Sequence, residues 1–239
     1  MILHTPLCDL LGIRYPIMQA GMGSFQGLVT PPALVAAVSN AGGMGCLGGT
    51  GLQPDELRAT IRQIRALTDK PFGLTLLVPA KTSTEGGTRA EIRADIARRF
   101  PEHRRFVDSL FERFGLQPAT VSMKYSLTRE LTDAQVQVAL EERVPFLALA
   151  LGDAREWKDQ AREAGTRLVG LVGSLRNVER QVASGVDIII CQGSEAGGHV
   201  GTIATLPLLP QVVDAAGSIP VVGAGGIADG RGVAAVLAL

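Results

Sequence analysis

Aromatic side chains, cysteines and histidines are scarce in this chain. Among 239 residues there are one Trp, two Tyr, seven Phe, three Cys and three His. Cys8, Cys46 and Cys191 are odd in number, widely spaced and free of any CxxC pair. This pattern argues against a disulfide framework and a zinc site and favours a reducing compartment. We therefore expect no metal site.

Net charge and long apolar runs are also lacking. Lys and Arg number 23 and so do Asp and Glu, which gives a formal net charge of zero. Without a basic surplus, no broad attraction to nucleic acid or to an anionic membrane is expected. The N-terminus lacks the basic and apolar segments of a signal peptide, and no stretch has the length and apolarity of a membrane span. The sequence predicts a cytoplasmic protein without nucleic-acid or membrane partners.

Short apolar runs alternate with helical patterns along most of the chain. Apolar runs without polar alternation are typical of parallel strands covered on both faces, joined by right-handed helical crossovers. Short, similar repeats favour an α/β barrel of the TIM (β/α)8 type, although the pattern leaves an open doubly wound sheet as an alternative. The predicted strands are 17–20, 44–47, 72–78, 146–151, 168–172, 188–191 and 219–223. The predicted helices between and after them are 31–40, 54–67, 154–163, 175–184, 206–216 and 230 onward.

The segment 81–143 has a different texture and holds nearly half of the charged residues. We interpret it as a charged helical insertion after the third strand, with helices at 90–99, 102–114 and 132–142. Thr132 and Asp133 are candidate caps of the last of these helices. A further strand at 120–123 is an open alternative.

Seven strands can be counted, one fewer than a closed barrel needs. The chain ends inside the helix that follows the seventh strand, and unpaired barrel edges are costly. The expectation is a single barrel domain over 1–239 that is truncated before its eighth strand, so that the C-terminal part of the barrel is missing from this chain. A true strand at 120–123 would raise the count to eight.

Chemistry-bearing residues concentrate in the stretch 188–201, IIICQGSEAGGHVG. A buried strand runs here into a glycine-dense loop that holds His199. Glycines allow sharp bends and the close approach of a flat ligand, and histidine exchanges protons near neutral pH. A merely solvated histidine in a strand-to-helix turn is the alternative. Glu195 is expected to orient this loop, with a direct catalytic part as the alternative.

A second glycine turn follows the last predicted strand. Gly225 and Gly226 precede a helix whose N-terminus lies near Asp229, and free N–H groups there are suited to an anion such as phosphate. Ordinary tight packing is the alternative for the glycine pair, and Asp229 is expected to cap the helix. No Walker lysine and no GxGxxG after a strand are present, which disfavours nucleoside triphosphates and a Rossmann dinucleotide site.

Four strings in this order carry a resemblance to a known family: PIMQAGMG, TPPALVAAVSNAGGMGCLGG, QGSEAGGHVG and VVGAGGIADGRGVAAVLAL. They resemble the nitronate monooxygenases, formerly called 2-nitropropane dioxygenases. FMN-dependent enoyl-acyl-carrier-protein reductases and NADH:quinone reductases share much of the pattern. The resemblance implies a TIM barrel that binds FMN.

The resemblance also implies contacts to the flavin ring. Gly21 and Met22 would lie along the ring through their backbone, Gln192 would hydrogen-bond it, and Gly197 would contact it by backbone. Thr75 stands where the family usually has an asparagine, so one polar contact would weaken or move. Gly21 itself stands where many members have a proline.

The remaining implied roles concern phosphate and substrate. Gly225 and Gly226 would hold the FMN phosphate, whereas a second phosphate-binding segment of the family has no match in this chain. His199 matches the active-site histidine and would act as general base. The implied reaction is oxidation of an alkyl nitronate or nitroalkane by FMN and dioxygen to a carbonyl compound and nitrite. Alternatives are reduction of a quinone or enoyl thioester by NAD(P)H, and a non-catalytic flavin-binding fragment.

Overall fold

The computed structural model describes residues 3–23, 28–79, 89–117 and 127–239, apart from the side chains of 89 and 90. Within these ranges six strands form one parallel sheet, in which each strand pairs with the next along the chain. A doubly wound sheet would reverse its order at a switch point, so the sequential order supports the barrel prediction: the fold is a curled half-barrel. The strands are β1 (Gly45–Gly48), β2 (Phe72–Leu77), β3 (Phe146–Ala150), β4 (Arg167–Val172), β5 (Ile188–Gln192) and β6 (Val221–Ala224).

The first predicted strand, 17–20, is reduced to a single parallel bridge between Met18 and Met44. Beyond that bridge, the side-chain amide of Gln19, rather than the backbone, bonds the Cys46 backbone of β1. The Cys46 N–H donates to Gln19 Oε1 at 3.3 Å, and Gln19 Nε2 donates to the Cys46 carbonyl at 3.2 Å. The other six predicted strands are confirmed to within two residues at each end, and the alternative strand at 120–123 lies outside the described residues.

Helices follow the strands as predicted, to within three residues at their ends. The prediction at 154–163 begins as a 3-10 turn, Arg155–Trp157, before α7. No helix among the described residues is both long and apolar enough to cross a membrane. The helices are α1 (Pro6–Leu11), α2 (Pro32–Asn40), α3 (Pro54–Leu67), α4 (Arg89–Arg99), α5 (Pro101–Phe114), α6 (Arg129–Glu141), α7 (Lys158–Ala164), α8 (Leu175–Ser184), α9 (Thr205–Ala216) and α10 (Gly230–Ala238).

Helix α1 was not predicted, and it closes one end of the half-barrel. Its Leu7 and Leu11 pack in one buried cluster with Met44, Phe146 and Ile188, which lie at the starts of β1, β3 and β5. The helix therefore covers the inner face of the sheet at the N-terminal ends of the strands. A larger core lies on the outer face, between the sheet and the surrounding helices. The open space on the inner face extends from this helix to the carboxyl ends of the strands.

The charged segment contains two kinds of helix. No side chain of α5 is buried, and none of the described side chains of α4 is. Helix α6, in contrast, buries Gln135 and Val136 completely and packs on β2 and α3, as a crossover helix does. The predicted cap of α6 is wrong: the helix begins earlier, and the Thr128 hydroxyl accepts from the Leu131 N–H at 3.2 Å.

Three arginines of α3 fasten the end of α6. Arg58, Arg62 and Arg65 lie within 3.1, 2.9 and 2.9 Å of the Glu142 carboxylate, which is 9% exposed. Burial by itself raises the pKa of Glu142, but the hydrogen bonds from Arg62 and Arg58 outweigh it and hold the pKa below its ordinary value. These ion pairs join α6, the crossover helix between β2 and β3, to α3, the crossover helix between β1 and β2.

The last strand and helix are less covered than the others. Every residue of β6 is only half-buried, and α10 buries no residue. In the strands β1 to β5 most residues are fully buried. The half-barrel is therefore open beside β6, as expected for a barrel short of strands.

Candidate active site

A cleft of about 900 Å³ opens along the inner face of the half-barrel. Apolar side chains of the strands form its floor, among them Ala148, Leu171 and Ile190. Five of the predicted site residues line it at the carboxyl ends of the strands, where barrel enzymes carry their active sites. They are Gly21, Thr75, Gln192, Gly225 and Gly226.

The segment that contains Gly21 lies tightly across the ends of β1 and β2. A Cβ on Gly21 would stand 2.7 Å from the Thr75 hydroxyl, and a Cβ on Gly48 would stand 2.2 Å from the Met22 carbonyl carbon. The buried Thr30 hydroxyl links β1 to the segment that contains Gly21, because it accepts from the Gly48 N–H at 2.8 Å and donates to the Met22 carbonyl at 3.3 Å. Met22 is 44% exposed and does not line the cleft.

Two polar side chains face the cleft without a partner. Thr75 on β2 and Gln192 at the end of β5 are half-buried, and neither side chain makes a hydrogen bond within the described residues. A half-buried hydroxyl or amide of this kind is available to a polar ligand. In the same ranges no three His, Cys, Asp or Glu side chains cluster as metal ligands.

The turn after β6 presents a row of free donors. Gly225 and Gly226 have φ values of +117° and +71°. From Gly225 to Ala228, no backbone N–H finds an acceptor among the described residues, and all four residues line the cleft. Successive N–H groups in such a turn form a concavity that suits an anion. These residues therefore fit a phosphate group.

Asp229 caps α10, as predicted. The N–H groups expected to be free for an anion were those at the start of this helix, and the cap changes which N–H groups are free. Its carboxylate accepts from the Arg231 N–H at 2.9 Å and the Gly232 N–H at 3.4 Å, and it pairs with the Arg231 guanidinium at 2.6 Å. The Arg231 side chain, and then its N–H, lower the pKa of Asp229. The Arg231 and Gly232 N–H groups at the start of the helix are thus occupied, and the row of free donors from Gly225 to Ala228 belongs to the turn before it.

Glu195 orients the loop after β5, also as predicted. Its carboxylate accepts from the Thr205 N–H at 2.9 Å and from the Thr205 hydroxyl at 3.1 Å. Its own N–H, followed by the Thr205 N–H, lowers the pKa of Glu195. The loop lies directly against the glycine turn, because a Cβ on Gly225 would stand 2.8 Å from the Ala196 nitrogen.

His199 lies farther along the same loop, at the rim. Its side chain is exposed, makes no hydrogen bond within the described residues and does not line the cleft. Gly197 is exposed as well, and a Cβ there would meet no atom within 4 Å. The end of the loop is held over β4, since a Cβ on Gly201 would stand 2.5 Å from the Gly173 carbonyl oxygen. The cleft thus gathers five predicted residues and leaves His199, Gly197 and Met22 beside it.

Three residues that shape the site were missed in the sequence. Gln19, Thr30 and Thr205 hold the segments around the cleft through side-chain hydrogen bonds. Thr30 lies just before Pro31, the N-cap of α2, and Thr205 is the first residue of α9. The residue types could be read from the sequence, but the partners through which these side chains join separate segments lie eight or more residues away in the chain.

Comparison with known proteins agrees with this architecture. The chain is 36% identical to a nitronate monooxygenase of Paraburkholderia phytofirmans, over 98% of this chain and 62% of that protein. It is 35% identical to the (3aS,4S,5R,7aS)-5-hydroxy-7a-methyl-1-oxo-octahydro-1H-indene-4-carboxyl-CoA dehydrogenase of Mycobacterium tuberculosis, over 99% of this chain and 52% of that protein. The structure of nitroalkane oxidase from Streptomyces ansochromogenes matches with a TM-score of 0.75 and 31% identity, covering 98% of this chain and 64% of that one.

These relatives are longer, and the chain spans between about half and two thirds of their length. The family profile for nitronate monooxygenase matches residues 4–239, which is nearly the whole chain. The chain therefore belongs to the nitronate monooxygenase family of oxidoreductases.

Proposed function

We propose that this chain binds FMN in the cleft and oxidises alkyl nitronates with dioxygen to a carbonyl compound and nitrite. The observation that carries the proposal is the row of unpartnered N–H groups from Gly225 to Ala228, which lines the same cleft as Thr75 and Gln192. A phosphate at one end and polar groups along a flat apolar floor are what a flavin nucleotide requires.

Each part of the cleft has a role in this proposal. Gly225 and Gly226 hold the phosphate by backbone donors. The Gly21 backbone, the Thr75 hydroxyl and the Gln192 amide line the cleft and would contact the ring. Met22 and Gly197 lie beside the cleft, and their backbones would contact the ring from its edge. When bound, the flavin supplies the redox chemistry and the reaction with dioxygen, while the protein positions the substrate and moves protons.

His199 acts on neutral nitroalkanes as general base. Its ring takes the proton from the carbon next to the nitro group, which leaves the nitronate. Support comes from its place on the loop that Glu195 and Thr205 hold against the glycine turn. A positioned base typically contributes about 10²–10⁴-fold to the rate. A substrate that is already a nitronate does not need this step.

The test is reconstitution followed by turnover. The purified chain is mixed with FMN, its absorption spectrum is recorded after gel filtration, and nitrite is measured after addition of an alkyl nitronate in air. Retained yellow colour together with nitrite release supports the proposal. Retained flavin with no nitrite from nitronates or nitroalkanes would refute the oxidase activity.

A reductase is the second candidate, favoured by the 35% identity to a dehydrogenase named for a CoA thioester. In that case NADH or NADPH, mixed anaerobically with the reconstituted chain, bleaches the flavin within the time of mixing, and a quinone or enoyl thioester restores the colour. A chain that takes up no FMN supports instead the third candidate, a non-catalytic fragment, which its 52–64% coverage of the longer relatives motivates.

A further inference from the structure

Thr205 joins the two loops that flank the proposed phosphate site. It is the first residue of α9 and only 3% exposed. Its hydroxyl lies 3.1 Å from Glu195 Oε2 and 3.4 Å from the Ala224 carbonyl oxygen. Glu195 belongs to the His199 loop and Ala224 is the last residue before the glycine turn. One buried hydroxyl is thus within hydrogen-bond distance of both segments.

The glycines of both segments are fitted around that hydroxyl. A Cβ on Gly193 would stand 2.0 Å from Thr205 Oγ1, and a Cβ on Gly225 would stand 2.6 Å from it. The Gly193 N–H also donates to the Ala224 carbonyl at 3.0 Å. The two segments therefore meet at Thr205, and any shift of its side chain is passed to both.

We infer that Thr205 is a positioning residue that sets the spacing between the His199 loop and the glycine turn, and thereby the affinity for the flavin phosphate. Thr205 itself does not line the cleft, so it acts through Glu195 and Ala224. The inference deepens the proposed function and rests on it for the identity of the ligand. The coupling of the two segments stands on the contacts alone.

The test compares matched threonine variants. Thr205→Val keeps the shape and removes the hydroxyl, and Thr205→Ser restores the hydroxyl. Thr60→Val is the control, because Thr60 is a buried threonine of α3 whose hydroxyl also donates to a backbone carbonyl, that of Glu56 at 2.7 Å. For each protein, Kd is measured for FMN and for inorganic phosphate, together with the melting temperature.

We expect Thr205→Val to lose about tenfold in affinity for FMN, as for loss of one hydrogen bond to a charged group. Thr205→Ser should stay within about threefold of the parent by the same reasoning. The control should lower the melting temperature without changing the affinity. Parental affinity in Thr205→Val, or an equal loss in Thr60→Val, would overturn the inference.

Hydrogen exchange separates this inference from the proposed function. In the flavin-free proteins, Thr205→Val should speed amide exchange both in 193–203, where the Gly193, Ser194 and Ala196 N–H groups are bonded, and in 221–224, the strand that leads into the glycine turn, and Thr60→Val in neither. That readout decides the matter even if the parent binds no FMN, and faster exchange in only one of the segments contradicts the inference. If Thr205→Val does not fold, Glu195→Gln replaces it. The neutral amide weakens the bonds that the Thr205 N–H and hydroxyl donate to residue 195 and leaves the contact of the hydroxyl with the Ala224 carbonyl. Because Thr205 joins the two segments, exchange must still speed up in both.

Discussion

Alanine substitutions along the glycine turn give a graded test of the phosphate site. Gly226 has a φ of +71°, and a Cβ there would meet Glu195 at 3.6 Å, which is an ordinary contact. Gly226→Ala therefore costs only the left-handed conformation, about 1–2 kcal/mol. Gly230 lies at the start of α10 in open space with no positive φ. Gly230→Ala should be neutral or stabilise by up to about 1 kcal/mol.

Gly225→Ala combines strain with collision. Its φ of +117° is a region that residues with a Cβ rarely adopt, which costs roughly 1–3 kcal/mol. The new Cβ would also stand 2.6 Å from Thr205 Oγ1 and 2.8 Å from the Ala196 backbone nitrogen. Overpacking of this kind adds about 1–3 kcal/mol. The sum is about 2–4 kcal/mol after partial relaxation, and the backbone contact forces the His199 loop away from the turn.

Calorimetry and FMN titration measure the series. At about 2–4 °C per kcal/mol for a chain of this size, Gly225→Ala should lower the melting temperature by roughly 5–15 °C and Gly226→Ala by a few degrees. Affinity for FMN should fall in the order Gly230→Ala, Gly226→Ala, Gly225→Ala, and the last should lose at least about tenfold, equivalent to 1.4 kcal/mol. Equal affinities across the series, or a larger effect at Gly226 than at Gly225, would refute this reasoning.

Four further outcomes are expected. His199→Asn should lower turnover of a neutral nitroalkane by about 10²–10⁴-fold, change nitronate turnover much less and keep the yellow colour; unchanged nitroalkane turnover removes His199 as base. Glu142→Gln should cost about 1–3 kcal/mol, because three partly exposed arginines lose their anion, and a melting temperature equal to the parent's contradicts this. The pKa values of Glu142 and Glu195 are lowered in the folded state, so the stability that these carboxylates contribute is present above their ordinary pKa of 4.5 and is lost as the pH falls through the lowered values. Melting temperatures measured from pH 6 to pH 3 should show that loss, and the fall should be smaller in Glu142→Gln. In Gly48→Ala the new Cβ would stand 2.2 Å from the Met22 carbonyl carbon, so the variant should displace Met22 and melt at a lower temperature. A melting temperature equal to the parent's would contradict this.

The strands were predictable because a buried parallel strand leaves a local signal. Runs such as 188–191 and 168–172 contain no charged or amide side chain, and burial on both faces favours that composition. The exception is instructive. The segment 17–20 was predicted from its apolar residues, but the side chain of Gln19 rather than its backbone pairs with Cys46. A hydrophobic pattern cannot reveal that a side-chain amide takes the place of a backbone peptide group.

Helix α1 was missed for a different reason. Its six residues are short for a periodic pattern, and its burial depends on Phe146 and Ile188, which are more than 130 residues away in the chain. Local signals were present, since Pro6 suits a first helical position and Gly12 ends the helix at a φ of +66°. An exposed N-terminal segment can carry the same signals, and only the packing of Leu7 and Leu11 against the strands shows that this segment is a buried helix.

The site was predictable where backbone freedom is the requirement. The glycines after the strands were singled out in the sequence, and the structure has a close approach at Gly21 and positive φ values at Gly225 and Gly226; their contacts with a flavin stay a prediction. Polar side chains were harder, because their role depends on which donors are already taken. Asp229 illustrates the point: the sequence placed it at a helix start, but not which N–H groups its carboxylate would occupy.

The N–H groups around the proposed phosphate site divide into occupied and free donors. Asp229 accepts from the Arg231 and Gly232 N–H groups at the start of α10, and Glu195 accepts from the Thr205 N–H at the start of α9. The N–H groups that stay free belong to the turn between those two carboxylates, where glycine conformation exposes them to the cleft. In the proposed function, the phosphate would occupy this turn, and the apolar floor with Gln192 and Thr75 lines the rest of the same cleft.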